Sequence, residues 1–431
     1  MKKSIISLLV FIVLSVFMLM FYHIGQIHPL VFMWYICVLY VVSLPRNLLS
    51  PKNIIFAYYF LWYALAPSFA TRFQNYSFRS QEEMISYLML FFVYGVSIVT
   101  LTFCEEYFNN KNKISNVTEG DDTSKNLEVN KLKRISIWSL VLVVISLFLF
   151  INKTGGISRW IIDSGMAFIS RGGSGGVYLL FLHSLMLFMF SYGILVYLKV
   201  KNANFIKPLI LIIVLFPFIG SKAQVILLVF IGLGNFLIRQ NLVSKWTFRA
   251  VLIAVFFFTI GIVQRNYTWM AANDFIPYTL NYFNTYEMLV ISVKDFDPSF
   301  FKTVFLPLNW ILQRFGTYIH VPFHDMSIWL TSIYYPQDWA VSATQQWPIE
   351  TDLYLSFYFV LGLPFLMLYL VFLSYAFNKA KMGYASWTLI YIIEFVYIIS
   401  HYRGGLVNYW YFWLIPFYIL VIMMFKKIRL T

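Results

Sequence analysis

Three short runs set glycine beside a cation: Arg171-Gly172-Gly173-Ser174-Gly175-Gly176, Gly220-Ser221-Lys222 and Arg403-Gly404-Gly405. Each stands just before an apolar stretch that reads as a helix. The first amides of a helix lack partners, and its positive dipole end lies there. Glycine lets the backbone approach a ligand, and consecutive amides can cradle an anion. A neighbouring cation completes a phosphate site. Arg171, Gly172, Ser221, Lys222 and Arg403 are therefore candidate ligands for a phosphate-bearing substrate. Arg265, at the end of another apolar stretch, is a further cation for the same site. Glycine turns and interfacial arginines are also common in membrane proteins, so the weight rests on finding three together.

A second group carries acid–base chemistry. In His320-Val321-Pro322-Phe323-His324-Asp325 an imidazole stands next to a carboxylate, six residues after Arg314. A histidine titrates near neutral pH and can serve as a general base. His324 is the first choice for that role and His320 the second, with interfacial hydrogen bonding as the alternative. Glu394 falls inside an apolar stretch, and a buried acid there needs a partner, for which Lys222 and Arg403 are available. Glu350 and Asp352 flank Thr351 and are secondary candidates. No HExxH, CxxC, acidic metal loop or P-loop occurs, so no metal and no cofactor are expected. Cys37 and Cys104 form no disulfide framework.

These residues must be positioned by elements that lipid solvates. The chain has 431 residues, 60% hydrophobic and 12% charged, whereas soluble domains carry about a quarter charged residues. An all-α polytopic membrane protein follows, a single membrane domain over 1–431 with about twelve transmembrane helices. Apolar runs of spanning length fall near 4–22, 27–43, 54–71, 83–103, 135–152, 177–198, 206–219, 223–238, 249–264, 351–375, 385–401 and 406–424. The first lacks a cleavage site and reads as a retained helix. With both termini cytoplasmic, 21 of the 32 Lys and Arg fall inside, as the positive-inside rule requires. The net charge of +14 therefore reflects topology and anionic lipid, and nucleic acid is not expected as a partner.

Two segments depart from the spans. The polar stretch 104–134 reads as a flexible cytoplasmic loop. Residues 266–350 form one long outer loop, before the tenth span, in which 20 of 85 residues are aromatic. Such a composition suits a folded extracytoplasmic cap over an active-site cavity. The spans 206–219 and 223–238 are short, about 21–24 Å at 1.5 Å per residue against ~30 Å of hydrocarbon. The turn at Gly220-Ser221-Lys222 is thus expected below the outer surface, with Lys222 in a wet cavity wall and Pro217 fitting a broken helix.

The pattern resembles the Wzy-type O-antigen polymerases, the oligosaccharide repeat unit polymerases. The resemblance rests on twelve spans, the large outer loop before the tenth, the Phe218-Ile219-Gly220-Ser221-Lys222 turn and the Arg171-Gly172 and Arg403-Gly404 turns. It implies a glycosyltransferase of lipopolysaccharide or another surface polysaccharide in the inner (plasma) membrane of a bacterium. A growing glycan would leave undecaprenyl pyrophosphate and join a hydroxyl of the next lipid-linked unit. Arg171, Lys222 and Arg403, with Arg265 or Arg314, would stabilise the leaving pyrophosphate. Donor and acceptor would be lipid-linked oligosaccharides, membrane lipid would surround the chain, and a chain-length regulator protein is an implied partner. His320 or His324 would correspond to the functional histidine of the related O-antigen ligases. The alternatives are a flippase for the same lipid-linked units, which should show short outer loops and internal repeats, and an O-antigen ligase, which differs in its acceptor.

Overall fold

The computed structural model describes the chain apart from residues 1, 114–121, 164–166, 168, 169, 171–173, 175, 220, 221, 245–247, 249–274, 314, 315, 317–322, 341–344, 427 and 431. Regular structure among the described residues is helical, and backbone pairing is confined to isolated bridges such as Asn47 with Asn241. In chain order the first helices are α1 Lys2–His23, α2 Pro29–Val42, α3 Pro51–Tyr59, α4 Ala66–Phe69, α5 Gln81–Lys113 and α6 Asp122–Lys153. There follow α7 Gly156–Ile162, α8 Val177–Tyr197, α9 Ile206–Ile219, α10 Lys222–Leu237, α11 Phe275–Leu280 and α12 Thr285–Asp295. The last are α13 Phe305–Gln313, α14 Met326–Tyr334, α15 Pro336–Ala340, α16 Ile349–Phe357, α17 Leu363–Lys381, α18 Ala385–Tyr402 and α19 Tyr411–Phe425.

Among the described residues five stretches are long and apolar enough to cross a membrane: Lys3–His23, Gln81–Asn110, Glu128–Lys153, Val177–Tyr197 and Val360–Lys381. Pro29–Val42, Ile206–Ile219, Ala223–Leu237 and Tyr411–Phe425 are shorter apolar helices. On α6 the side chains of Ile137, Trp138, Val144 and Phe148 are each more than 60% exposed. An apolar face of that size is stable only against lipid or another apolar surface. The span expected at 249–264 lies outside the described residues.

Three expectations are corrected. The segment 104–134, read as a flexible loop, is helical up to Lys113 and again from Asp122. Once a spanning helix is nucleated, adding Lys, Glu and Asn residues to its end costs little. The single span expected at 351–375 is two helices. α16 stops at Phe357, and Tyr358 and Phe359 take positive φ values of 46° and 61°. The chain then resumes through a 3-10 turn at Val360–Gly362 into α17, whose second residue, Pro364, suits a first helical turn. Finally, Arg403-Gly404-Gly405 does not open a helix, as described below.

The chain divides into two compact units. The first comprises Met1–Ile114, Gln240–Asn378 and Phe395–Pro416. In it α1 and α5 approach closely at Gly95, where a Cβ would fall 2.1 Å from the Phe11 ring. Buried Lys52 pairs with Glu105 and donates to Ser43 O at 2.8 Å. Glu106 receives the Lys3 amide at 2.9 Å and Ser4 Oγ at 2.6 Å, so a carboxylate satisfies the first turn of α1. A second core, Met288, Met326, Leu330, Trp347 and Leu355, joins α12, α14 and α16.

The second unit comprises Ser115–Arg239, Lys379–Glu394 and Phe417–Thr431. α8 packs on α6 and on α10. A Cβ on Gly193 would sit 2.4 Å from Gly232 O, the small-residue contact that lets membrane helices touch. Phe150, Trp160 and Ala167 form a core with Tyr178 and Phe218 around it. Tyr178 Oη donates to Ile219 O at 2.9 Å, satisfying the last carbonyl of α9.

Candidate functional site

The site in the first unit begins with one proline. Pro67 has no N–H to give to the carbonyl of Tyr63, four residues back. Tyr87 Oη supplies one at 3.2 Å. Between α3 and α4 the helix widens into a π turn over Phe60–Leu65, and the Ala66 amide reaches back to Leu61 O. Residues five apart do not face one another on an α-helix. The widened turn brings Tyr58 and Tyr63 together, with their hydroxyls 2.9 Å apart. Tyr58 donates its proton to Tyr402 O at 2.8 Å. Tyr63 is therefore the donor between the two hydroxyls.

Two acids on α16 meet this wall and the chain after α18. Glu350 is fully buried, and its Oε1 accepts from Tyr59 Oη at 2.5 Å. Its other oxygen, Oε2, is buried and has no hydrogen-bond partner among the described residues. Burial pushes the Glu350 carboxyl up to about 7, against the pull of the Tyr59 hydrogen bond and of its own amide at the helix start. The segment leading to it is pinned. Gln345 donates to Asp338 at 2.6 Å and accepts from Asn284 at 2.9 Å, while Gln346 accepts from Trp62 Nε1 at 3.0 Å. Asp352 has a different task. One of its oxygens accepts from Thr303 Oγ1, and the other accepts from the Leu406 amide at 2.7 Å. It thereby ties the chain at 303 and the chain at 406 to α16.

That tie explains the third glycine run. The amides of Gly404 and Gly405 donate to His401 O, so they close α18 and are not free for a ligand. Gly405 has a φ of 109°, a conformation suited to the glycine that ends a helix. α19 begins only at Tyr411, and the next free amide, that of Leu406, is already taken by Asp352. The side chain of Arg403 points elsewhere. It lies over the Trp62 ring, 5.9 Å from the centroid. Its Nε is buried and has no hydrogen-bond partner among the described residues, and burial pulls its pKa down. Among the described residues no carboxylate lies within ion-pair distance of it.

Arg403 and Glu350 belong to one place. Both border the segment of α3 and its π turn, Glu350 at Tyr59 and Arg403 at Trp62. Among the described residues, the ionisable side chains with a buried unpartnered polar atom are Glu350, His401 and Arg403. His401 Nε2 is 2.8 Å from Tyr411 Oη, and its Nδ1 is the unpartnered atom. Comparison with family models, curated proteins and solved structures finds no match.

The other candidates are distributed as follows. His324 Nε2 lies 3.7 Å from Asp325 Oδ2, and its ring is 4.4 Å from that of Tyr409. Asp325 is engaged as the N-cap of α14, where its Oδ1 accepts from Ile328 N at 2.8 Å. Glu394, in the second unit, receives Tyr418 Oη at 2.7 Å. Lys222 opens α10, and its side chain lies outside the described residues. Arg171, Gly172, Ser221, Arg265, Arg314 and His320 also lie outside them. Of the remaining histidines, His28 caps α2 by accepting from Leu30 N, and His183 stacks on Phe417 at 4.3 Å. Sequence reasoning missed Tyr58, Tyr59, Trp62, Tyr63 and Thr303. Pro67 inside an apolar run was the one local signal of the tyrosine wall.

Proposed function

We propose that this chain is a polytopic glycosyltransferase that polymerises oligosaccharide repeat units carried on undecaprenyl pyrophosphate. In this reading it lies in the inner membrane of a bacterium, with twelve spans, cytoplasmic termini and the 266–350 segment on the outer side. One observation carries it: a cation, Arg403, and an acid, Glu350, each with a buried atom unpartnered among the described residues, border the same aromatic segment, at Trp62 and at Tyr59. A guanidinium without an internal carboxylate, held on an indole face, is suited to an external anion. A lipid pyrophosphate is an anion that arrives through the membrane. Its bond to the sugar already stores the energy for transfer, so no nucleotide sugar is required. The aromatic side chains around Arg403 are suited to sugar faces. Arg265 is a further cation proposed for the same leaving group, Arg171 and Lys222 are proposed as anion contacts within the second unit, and His324 remains a candidate for contact with the glycan.

Deletion of the gene tests the reading through a gel of surface glycan. Single repeat units on the lipid core, without a ladder, are expected. Complete loss of repeat units would favour the flippase or ligase instead. Arg403→Ala, at unchanged protein level, should reproduce the deletion pattern, and a normal ladder from that variant would refute the anion-site assignment.

A further inference from the structure

We propose that Glu350 is the general base of the transfer, taking the acceptor hydroxyl's proton at its Oε2 atom. The inference rests on the glycosyltransferase reading and replaces the histidines as the source of base. A base needs a free lone pair, a fixed orientation and a proton affinity near the working pH. Glu350 Oε2 is buried and unpartnered, while Oε1 is held by Tyr59. Tyr59 thus orients the carboxyl and leaves one oxygen for a ligand proton. The raised proton affinity of Glu350, close to neutrality, suits the task, whereas the Asp352 oxygens are engaged by Thr303 and Leu406.

The step balances without any further reactant. The acceptor O–H gives its proton to Glu350 Oε2, and its oxygen forms the bond to the anomeric carbon. The bond from that carbon to the pyrophosphate oxygen breaks, and the electron pair stays on the phosphate, where Arg403 can meet it. Tyr59 from α3 holds Glu350, and the rings of Tyr58 from α3, Tyr63 from the π turn and Tyr402 from α18 pack around Tyr59. Arg403 is the cation that borders the same segment, at Trp62. The hydroxyl of Tyr59 is placed to tune the acid and not to react, because it stabilises the ionised form through its hydrogen bond.

The test uses the full chain in lipid nanodiscs, with lipid-linked repeat units extracted from a strain lacking it, and follows single-turnover extension against pH. For wild type the rate should rise with pH through a limb near 7. Glu350→Gln should lower extension at least a hundredfold, remove that limb, and leave donor binding within threefold. A general base contributes about 10²–10⁴ in rate. Tyr59→Phe removes a hydrogen bond that favours the carboxylate. Its limb should therefore move to higher pH, and the plateau rate should fall as well, because the carboxyl loses the contact that orients it. A residue that only supported packing would not move that limb.

Extension by Glu350→Gln within threefold of wild type, or an acidic limb retained by it, would overturn the inference. If Glu350→Gln does not fold, the Tyr59→Phe limb decides, and an unmoved limb overturns the inference equally. Wild type failing to extend any lipid-linked glycan would instead refute the proposed function itself.

Discussion

Removing the Asp352 carboxylate should unfasten two chain segments at once. Its oxygens accept from Thr303 Oγ1 and from the Leu406 amide, and the side chains of Asp352 and Thr303 are buried. A hydrogen bond to a charged group contributes about 1.5–3 kcal/mol, so losing two should destabilise Asp352→Ala by ~3–6 kcal/mol. Asp352→Asn keeps one acceptor and should cost about half as much. Gly405 makes the reasoning sharper. A Cβ there would fall 2.9 Å from Asp352 Oδ2 and 3.1 Å from Cγ, on a backbone at φ 109°. Gly405→Ala should therefore cost ~2–4 kcal/mol, part from the contact and part from the backbone. In the Asp352→Ala background the contact disappears and only the backbone strain remains. The two changes should then couple by at least ~1 kcal/mol. The assay is equilibrium unfolding in mixed micelles titrated with SDS, on the four members of the cycle. A loss under ~1 kcal/mol for Asp352→Ala, or additive changes in the double variant, would show that this carboxylate does not hold the chain around Arg403.

Arg403→Lys should bind a pyrophosphate less well than arginine yet better than Arg403→Ala, because an ammonium cannot present a planar fork. Chain-extension rates of the three forms check this order. Glu350 also predicts a pH dependence of stability. Its folded value near 7 lies above its ordinary 4.5, so its stabilising contribution is complete below 4.5 and is lost as pH rises through 7, by up to ~3 kcal/mol. Unfolding midpoints should fall over that window in wild type, and Glu350→Gln should lack this component of the slope. Lys52→Met leaves Glu105 without its buried cation and should cost about 3 kcal/mol, most of which Lys52→Met with Glu105→Leu recovers. Unfolding of the single and double variants measures it.

Composition and hydrophobic runs were enough to read a helical, lipid-solvated chain, because a helix satisfies its own backbone wherever water is absent. That α9 and α10 are two short helices was legible too, since a glycine turn separates two short apolar runs. The role of Arg403-Gly404-Gly405 was not legible. A glycine run can precede a helix or close one, and only the positions of His401 and Asp352 decided which. The break after Phe357 was likewise hidden inside an apolar run, since Tyr358 and Phe359 carry no turn signature. The site itself depends on pairs separated by 291 residues, Tyr59 with Glu350, and by 344, Tyr58 with Tyr402. Local periodicity specifies which face of a helix is apolar. Which buried acid is left with a free oxygen depends on how distant helices pack, and that is fixed only by the tertiary structure.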